Sequence, residues 1–298
     1  MKFVHLFHNP GAGDEEHEKE DLVSLLRSHG YDCRYSSTKK KPCDAPDKNA
    51  DFLVIAGGDG TVRKVAKQVL NRRTAEKSWP LALLPLGTAN NIASTLGIGG
   101  DAHSIVDTWQ RQKLQAFDIG WLEGIDDASF FIESFGYGLF PLLMKEMKKS
   151  GRNDKGSPEE RLAAAQELLH QLILSYKARA CKLEIDGTDH SGSFLMVEVM
   201  NTRSIGPNLF LSPQADPGDG RFEIVLIREE ERRAFADHVL GMRMGKEETY
   251  PFFHLPADRA RIRWQDSDVH ADDRLVRAIR HKAVEVQLKQ GLLQFFVP

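Results

Sequence analysis

Three short turns carry the residues best suited to chemistry in this chain: Asn9–Gly13 (NPGAG), Gly57–Thr61 (GGDGT) and Gly87–Asn91 (GTANN). Glycines let backbone N–H groups approach phosphate oxygens closely, and a helix starting at such a turn adds the favourable partial charge of its N-terminus. In GGDGT, Asp59 brings a carboxylate that can hold magnesium, directly or through water, or orient a proton-bearing group. Thr61 and Thr88 offer hydroxyls, and Asn90 an amide suited to a ribose or a phosphate. The pattern GxxxxGK[ST] is absent, so these are not Walker-type loops. Taken singly, a GDG or an NPGAG is more often a plain tight turn. Three of them in order, each after a strand signal, point to a phosphate-bearing ligand.

The elements that must position these turns alternate. Lys2–His8 reads as a strand running into NPGAG, and Glu15–His29 as a helix with Leu22, Leu25 and Leu26 on one face, ended by Gly30. Asp51–Ala56 is a short apolar run of the kind a buried parallel strand requires; it enters GGDGT, after which Val62, Val65, Ala66, Val69 and Leu70 mark a helix face. Leu81–Leu84 repeats the scheme before PLGTANN. Such repetition predicts a mostly parallel sheet with helices on its faces, whose ligands gather at the carboxyl ends of the strands. The three turns are therefore expected to converge.

From about Phe117 the pattern changes to short runs rich in β-formers: Phe117–Trp121, Ser129–Phe135, Lys182–Ile185, Phe194–Val199, Phe222–Ile227, Arg261–Trp264, Val284–Leu288 and Leu293–Val297. These predict an antiparallel sandwich, interrupted by one helix over Pro158–Ser175 with acidic residues in its first turn. The domain boundary falls near 118–120, giving domains 1–118 and 119–298, and the last segment is a candidate to pack back on the first domain.

With 41% hydrophobic and 28% charged residues, the 298-residue chain can bury a sizeable core and is neither disordered nor collagen-like. Forty Lys+Arg against 43 Asp+Glu give a net charge of −3, leaving no global basic excess to attract nucleic acid or an anionic bilayer. The most apolar window, Phe135–Met144, is about half the length of a spanning helix and contains Gly and Pro. The N-terminal stretch, broken by His5 and His8 and followed by acids, does not read as a signal peptide. Cys33, Cys43 and Cys181 form no CxxC pair, which fits a reduced, cytoplasmic setting. The 11 histidines show no HExxH spacing for catalytic zinc.

The order NPGAG, AGGDGTVRKVA, LALLPLGTANNIASTLGI resembles the diacylglycerol kinase catalytic-domain family, which includes bacterial lipid kinases, sphingosine kinases and ceramide kinases. The resemblance extends through GPNLFLSPQADPGDGRFEIVLI to VHADDRLV and LLQFFVP, nearly the whole chain. It implies an NAD-kinase-like α/β domain that binds ATP, a β-sandwich domain that helps bind lipid, a site between them, and transfer of the γ-phosphoryl group to a lipid hydroxyl such as that of diacylglycerol. By the same resemblance, Asn9, Gly11 and Gly13 would lie beside the nucleotide, and Gly57, Gly58, Asp59, Gly60 and Thr61 would cradle its phosphates, with Gly87, Thr88 and Asn90 completing the pocket. The DPGDG turn matches a motif where bacterial members hold a structural magnesium, here with Asp219 as side-chain ligand and the carbonyls of Asp216 and Arg221 nearby. Asp272 stands where the family has its general base, so Asp272 and Asp59 are the catalytic candidates. The partners implied are a lipid substrate and transient contact with a membrane surface, with nucleic acid excluded and a homodimer left open; the location implied is cytoplasmic, peripheral to the membrane.

The chain departs from the family pattern twice. Asn91 replaces an aspartate, and Arg274 replaces the glutamate of Asp-Gly-Glu. A register one residue later would make Asp273 the base. These departures leave open a nucleotide- or lipid-binding pseudokinase without turnover. The GGDGT turn and α/β core, shared with NAD kinases, leave open an NAD-kinase-like enzyme, against which PLGTANN stands. Met144–Lys149 with Arg152 and Lys155 forms a basic run that could approach anionic lipid, though an exposed helix end is the plainer reading. Lys39–Lys41 could meet ATP phosphates or simply be solvated. Phe130, Phe131, Phe135, Tyr137, Phe140, Leu142 and Leu143 belong to a core or to an acyl-chain pocket; periodicity does not separate the two.

Overall fold

A computed structural model describes residues 1–13, 18–39, 44–72, 78–151, 156–245, 252–264, 268–279 and 282–298. The chain forms two compact units: Met1–Phe117 with Gln290–Pro298, and Asp118–Lys289.

In the first unit, strands β1 (Lys2–His8), β2 (Tyr31–Ser37), β3 (Phe52–Gly57) and β4 (Leu81–Pro85) build a parallel sheet in the order β4-β3-β1-β2. Every residue of β3 is buried, as a central parallel strand covered on both faces requires. Helices α1 (Lys19–Ser28), α2 (Asp59–Arg72), α3 (Asn91–Thr95) and α4 (Ala102–Thr108) connect the strands. The helix expected over Glu15–His29 covers Lys19–Ser28; residues 14–17 lie outside the described residues. Asp101 caps α4, its side chain accepting from the Ser104 N–H at 3.0 Å.

The chain leaves this unit within β5 (Leu114–Glu123) and returns within β18 (Val284–Phe296). The sequence pattern predicts two strands, Val284–Leu288 and Leu293–Val297, where β18 is one. Gly291 takes φ +57 there, and the strand continues until Phe295 pairs in parallel with Leu81 of β4.

The second unit is the expected sandwich. Its strands are β6 (Phe130–Phe131), β7 (Ser134–Gly138), β8 (Arg179–Ile185), β9 (Thr188–Asp189), β10 (Gly192–Met200), β11 (Ser204–Ile205) and β12 (Leu209–Phe210). They continue with β13 (Phe222–Arg228), β14 (Phe253–Ala257), β15 (Arg259–Trp264), β16 (Asp268–Ala271) and β17 (Arg274–Arg277). One sheet runs β17-β16-β7-β10-β13-β14, all antiparallel. A register shift between Phe194 and Met196 bends β10 so that its first residues pair with β8, which continues to β15 and β18. Side chains alternate accordingly. Phe135, Tyr137, Val197, Val199 and Val269 fill the core between the sheets, while Met196 and Met200 face a second core beneath the helices.

Those helices are α5 (Leu139–Ser150), α6 (Pro158–Ser175) and α7 (Arg232–Arg243). The α6 span is the one predicted, and a capping box sets its start. The Ser157 hydroxyl accepts from the Glu160 N–H, and the Glu160 carboxylate accepts from the Ser157 N–H at 2.9 Å.

Candidate functional site

The three glycine turns follow β1, β3 and β4, and they touch. Gly58 and Gly87 approach so closely that a Cβ on Gly87 would stand 2.4 Å from the Gly58 Cα and 2.7 Å from Asn90 Oδ1. Gly13, at φ +64, lies against the Leu86 carbonyl, where an added Cβ would be 2.5 Å from the oxygen. The Leu86 N–H donates to the Gly57 carbonyl at 3.2 Å, and the Asn9 N–H to the Ala56 carbonyl at 2.9 Å. The convergence expected at the carboxyl ends of the strands is therefore present within the first unit, and α2 starts from the middle turn with its first-turn N–H groups at that end.

The individual side chains divide into those that build the turns and those that remain at their surface. Asp59 Oδ2 accepts from the Asn91 N–H at 2.9 Å and Oδ1 from the Ile92 N–H at 3.0 Å. The carboxylate thus ties the start of α2 to the start of α3. Asn90, at φ +52, closes its own loop: Oδ1 accepts from the Gly87 N–H at 2.9 Å and Nδ2 donates to the Gly87 carbonyl at 2.7 Å. Thr61 is buried against Gly57, whereas Thr88 and Gly11 are exposed and Gly60 partly so. Asn9 Oδ1 accepts from the Gly11 N–H at 3.3 Å. Asn91, the departure from the family pattern, is 2% exposed and presents its N–H to Asp59.

In the second unit, the DPGDG turn is held by its own donors. Asp216 Oδ1 accepts from the Gly218 N–H at 2.9 Å, Asp219 Oδ1 from the Arg221 N–H at 2.9 Å, and the Asp216 carbonyl from the Asp219 N–H at 3.3 Å. Asp118, which the motif reading overlooked, joins them: its Oδ2 accepts from the Gly220 N–H at 2.8 Å, and it is 1% exposed. Its signal in the sequence was a lone acid inside the apolar run FDIG. Among the described residues no group of three or more His, Cys, Asp or Glu side chains is arranged to hold a metal ion. The carboxylates at this turn, Asp219, Asp216 and Asp118, each already accept an N–H, which with the peptide carbonyls makes a modest set for magnesium.

Asp272 and Asp273 form the two-residue tip of the β16–β17 hairpin, between the paired residues Ala271 and Arg274. They point to different environments. Asp272, at φ +54 and 4% exposed, accepts at Oδ1 from the N–H groups of Ile132 (2.9 Å), Glu133 (2.7 Å) and Ser134 (3.4 Å). Three donors on one oxygen stabilise the carboxylate's negative charge. Asp273 is exposed and Arg274 half-buried.

Of the other residues singled out, Phe131, Phe135 and Tyr137 lie in the sandwich core, Phe140 and Leu143 under the helices, and Phe130 is also buried. Leu142 is partly exposed on the wall of a cavity of about 570 Å³, beside Lys145, Tyr176, Arg179 and Trp264. In the basic run, Lys145 pairs with Asp268 at 2.7 Å and Lys149 with Glu146 at 2.6 Å; Arg152 and Lys155 lie outside the described residues. Lys39 is exposed, while Lys40 and Lys41 fall outside the described residues, as does Cys43. Cys33 and Cys181 are free thiols.

Comparison with known proteins agrees with both halves. Residues 3–122 match the model of the diacylglycerol kinase catalytic domain, and residues 153–272 that of the YegS C-terminal NAD kinase beta sandwich-like domain. A protein of Pectobacterium atrosepticum named probable lipid kinase YegS-like is 28% identical over 234 residues, covering 76% of this chain and 74% of its own. The diacylglycerol kinase of Bacillus subtilis is 25% identical over 244 residues, covering 77% and 75%. The crystal structure of a diacylglycerol kinase from Bacillus anthracis superposes with a TM-score of 0.72 at 18% identity, covering 100% of this chain and 97% of that one, which speaks for a shared fold. With its glycine turns, its sandwich and these matches together, the chain belongs to the bacterial lipid-kinase family built from a diacylglycerol kinase catalytic domain and a YegS-like sandwich.

Proposed function

We propose that this protein transfers the γ-phosphoryl group of ATP to the hydroxyl of a lipid, with diacylglycerol the first substrate to try. The observation that carries the reading is the contact of three glycine turns at the ends of adjacent parallel strands, with the N-terminus of α2 rising from the middle one. In this reading Asn9, Gly11 and Gly13 lie beside the nucleotide, and the turns Gly57–Thr61 and Gly87–Thr88 line its phosphates with N–H groups other than those of Thr61 and Gly87, which donate to the Gly58 carbonyl and to Asn90 Oδ1. Asp59 is the side chain that would lie beside a magnesium ion carried by the nucleotide, which would supply neutralisation of phosphate charge. Asp219, with the carbonyls of Asp216 and Arg221, is the candidate for a separate structural magnesium. Asp272 receives the proton of the attacking hydroxyl. No helix among the described residues is long and apolar enough to cross a membrane, so the protein would meet its lipid at the bilayer surface.

The test is a labelling assay: γ-labelled ATP, magnesium and mixed micelles of diacylglycerol or another long-chain alcohol, with lipids separated by thin-layer chromatography. Labelled lipid is expected. Nucleotide binding without labelled lipid from any acceptor overturns the kinase reading. Asp272→Asn refines it, because asparagine retains an oxygen for the N–H groups of Ile132 and Glu133. The expected loss in kcat is roughly a hundredfold or more, with ATP affinity unchanged. The alternative, a nucleotide- or lipid-binding pseudokinase, draws on Arg274 and on the three donors that stabilise the Asp272 carboxylate. It predicts no turnover to lose.

A further inference from the structure

Two strands away from the Asp272 tip, the apolar run of β10 contains one acid. Glu198 is 0% exposed and pairs in register with Gly136 of β7, which on its other side pairs with His270 of β16, also 0% exposed. The central residue of this three-strand row has no side chain. Over that gap the Glu198 carboxylate meets the His270 imidazole, Nε2 lying 2.8 Å from Oε2 and 3.1 Å from Oε1. A Cβ on Gly136 would stand 2.3 Å from the Glu198 carboxylate carbon, so glycine is what leaves room for the pair. The Phe140 ring of α5 packs edge-on to the imidazole at 4.6 Å.

The other imidazole nitrogen defines the direction of this arrangement. His270 Nδ1 lies 2.9 Å from the backbone carbonyl oxygen of Asp272, which only accepts, so Nδ1 carries a hydrogen and donates it. Nε2 and the carboxylate then share one further proton, either as imidazolium with carboxylate or as imidazole with carboxylic acid, and the pair is neutral as a whole. Burial pushes His270 down, but the Glu198 carboxylate and the Asp272 carbonyl outweigh it and leave the imidazole above its ordinary range. Burial also pushes Glu198 up. Both directions favour retention of the shared proton.

A buried ionic pair is weak evidence for stability, since well-packed apolar residues often serve as well. What apolar residues lack is a donor aimed at the Asp272 carbonyl. We propose that Glu198 and His270 are positioning residues for the hairpin tip: Glu198 fixes the ring and its proton, and the ring's Nδ1–H fixes the peptide joining Asp272 to Asp273. For turnover this rests on the reading of that tip as the source of the base; the positioning itself does not.

The experiment compares wild type with Glu198→Gln and with the double variant Glu198→Leu/His270→Phe, which keeps volume and removes the donor. Each is examined by steady-state kinetics with ATP and lipid, thermal denaturation, and hydrogen exchange of peptides covering 268–277. Expected is a loss in kcat of tenfold or more in the double variant and several-fold in Glu198→Gln, with KM for ATP unchanged within twofold and exchange of the hairpin at least tenfold faster. If the double variant does not fold, Glu198→Gln alone decides, by the same kcat-against-KM split and the same peptides. Folded variants with wild-type exchange in the hairpin overturn the proposal. If wild type itself labels no lipid, the kinase reading has failed separately, and hydrogen exchange still decides whether the pair positions the tip.

Discussion

His5 of β1 is held in a single tautomer by its two hydrogen-bond partners. The Asp47 N–H donates to its Nδ1 at 3.0 Å, so the hydrogen sits on Nε2, which donates to the Ser36 hydroxyl at 2.8 Å. Ser36 in turn donates to Asp44 Oδ2 at 2.7 Å. Protonating Nδ1 would break the first link. Burial, seconded by Arg34, lowers the His5 pKa from 6.5 to about 4. A histidine with a depressed folded-state pKa contributes stability that is present above its unfolded value and is lost as pH falls from about 6.5 through 4. The loss should approach about 3 kcal/mol in urea unfolding between pH 7 and pH 4. His5→Gln should flatten this part of the profile, and parallel profiles for the two proteins would refute the assignment. Asp59 gives a second test: removing its carboxylate in Asp59→Ala leaves two α3 N–H groups without their acceptor. The expected cost is about 1–3 kcal/mol in the same unfolding assay.

The elements around the glycine turns tolerate little change because backbone meets backbone. In Gly87→Ala the new methyl would lie 2.4 Å from the Gly58 Cα, which cannot yield as a flexible side chain would. The two turns must part, at a cost of roughly 1–3 kcal/mol, and ATP affinity measured by calorimetry should fall tenfold or more. Unchanged affinity would separate these turns from nucleotide binding. Strands β3 and β4 of this unit and the glycine turns that follow them were legible in the sequence because a parallel strand buried on both faces is written as an unbroken apolar run, and its exit turn as glycine. The edge strand β2, mostly polar, carries no such run. The second unit was less legible. Its hairpin β16–β17 has a tip of Asp272–Asp273 with no glycine to announce it, and α7 is short and rich in charge. β18 looked like two strands because Gly291 interrupts its pattern, while hydrogen bonding to different partners carries the strand past it.

Taken as a whole, the chain makes its first unit from both of its ends. Leu293, Phe295, Phe296 and Val297 are buried, Phe296 against Phe52 at 5.0 Å and Phe295 against Phe117 at 4.9 Å. At about 1.5–3 kcal/mol for each buried apolar side chain, their combined contribution rivals the roughly 5–15 kcal/mol by which whole domains are stable. Truncation after Lys289 should therefore leave residues 1–117 unable to fold, seen as rapid proteolysis of that region. A protease-resistant first unit in the truncated protein would contradict this.

Local chemistry, written residue by residue, already determined the order of strands and glycine turns, the sandwich class of the second half, the α6 helix and the family resemblance, because period, turn chemistry and short motifs depend on neighbours in the chain. Tertiary structure alone decided the rest. It set Gly58 against Gly87, turned the Asn90 amide and the Asp59 carboxylate onto backbone N–H groups, buried Asp272 under three donors, and brought Glu198 to His270 across Gly136. Each of these contacts joins residues whose polar groups could have found many partners. Only strand register and burial, which remove water as the competing partner, select one.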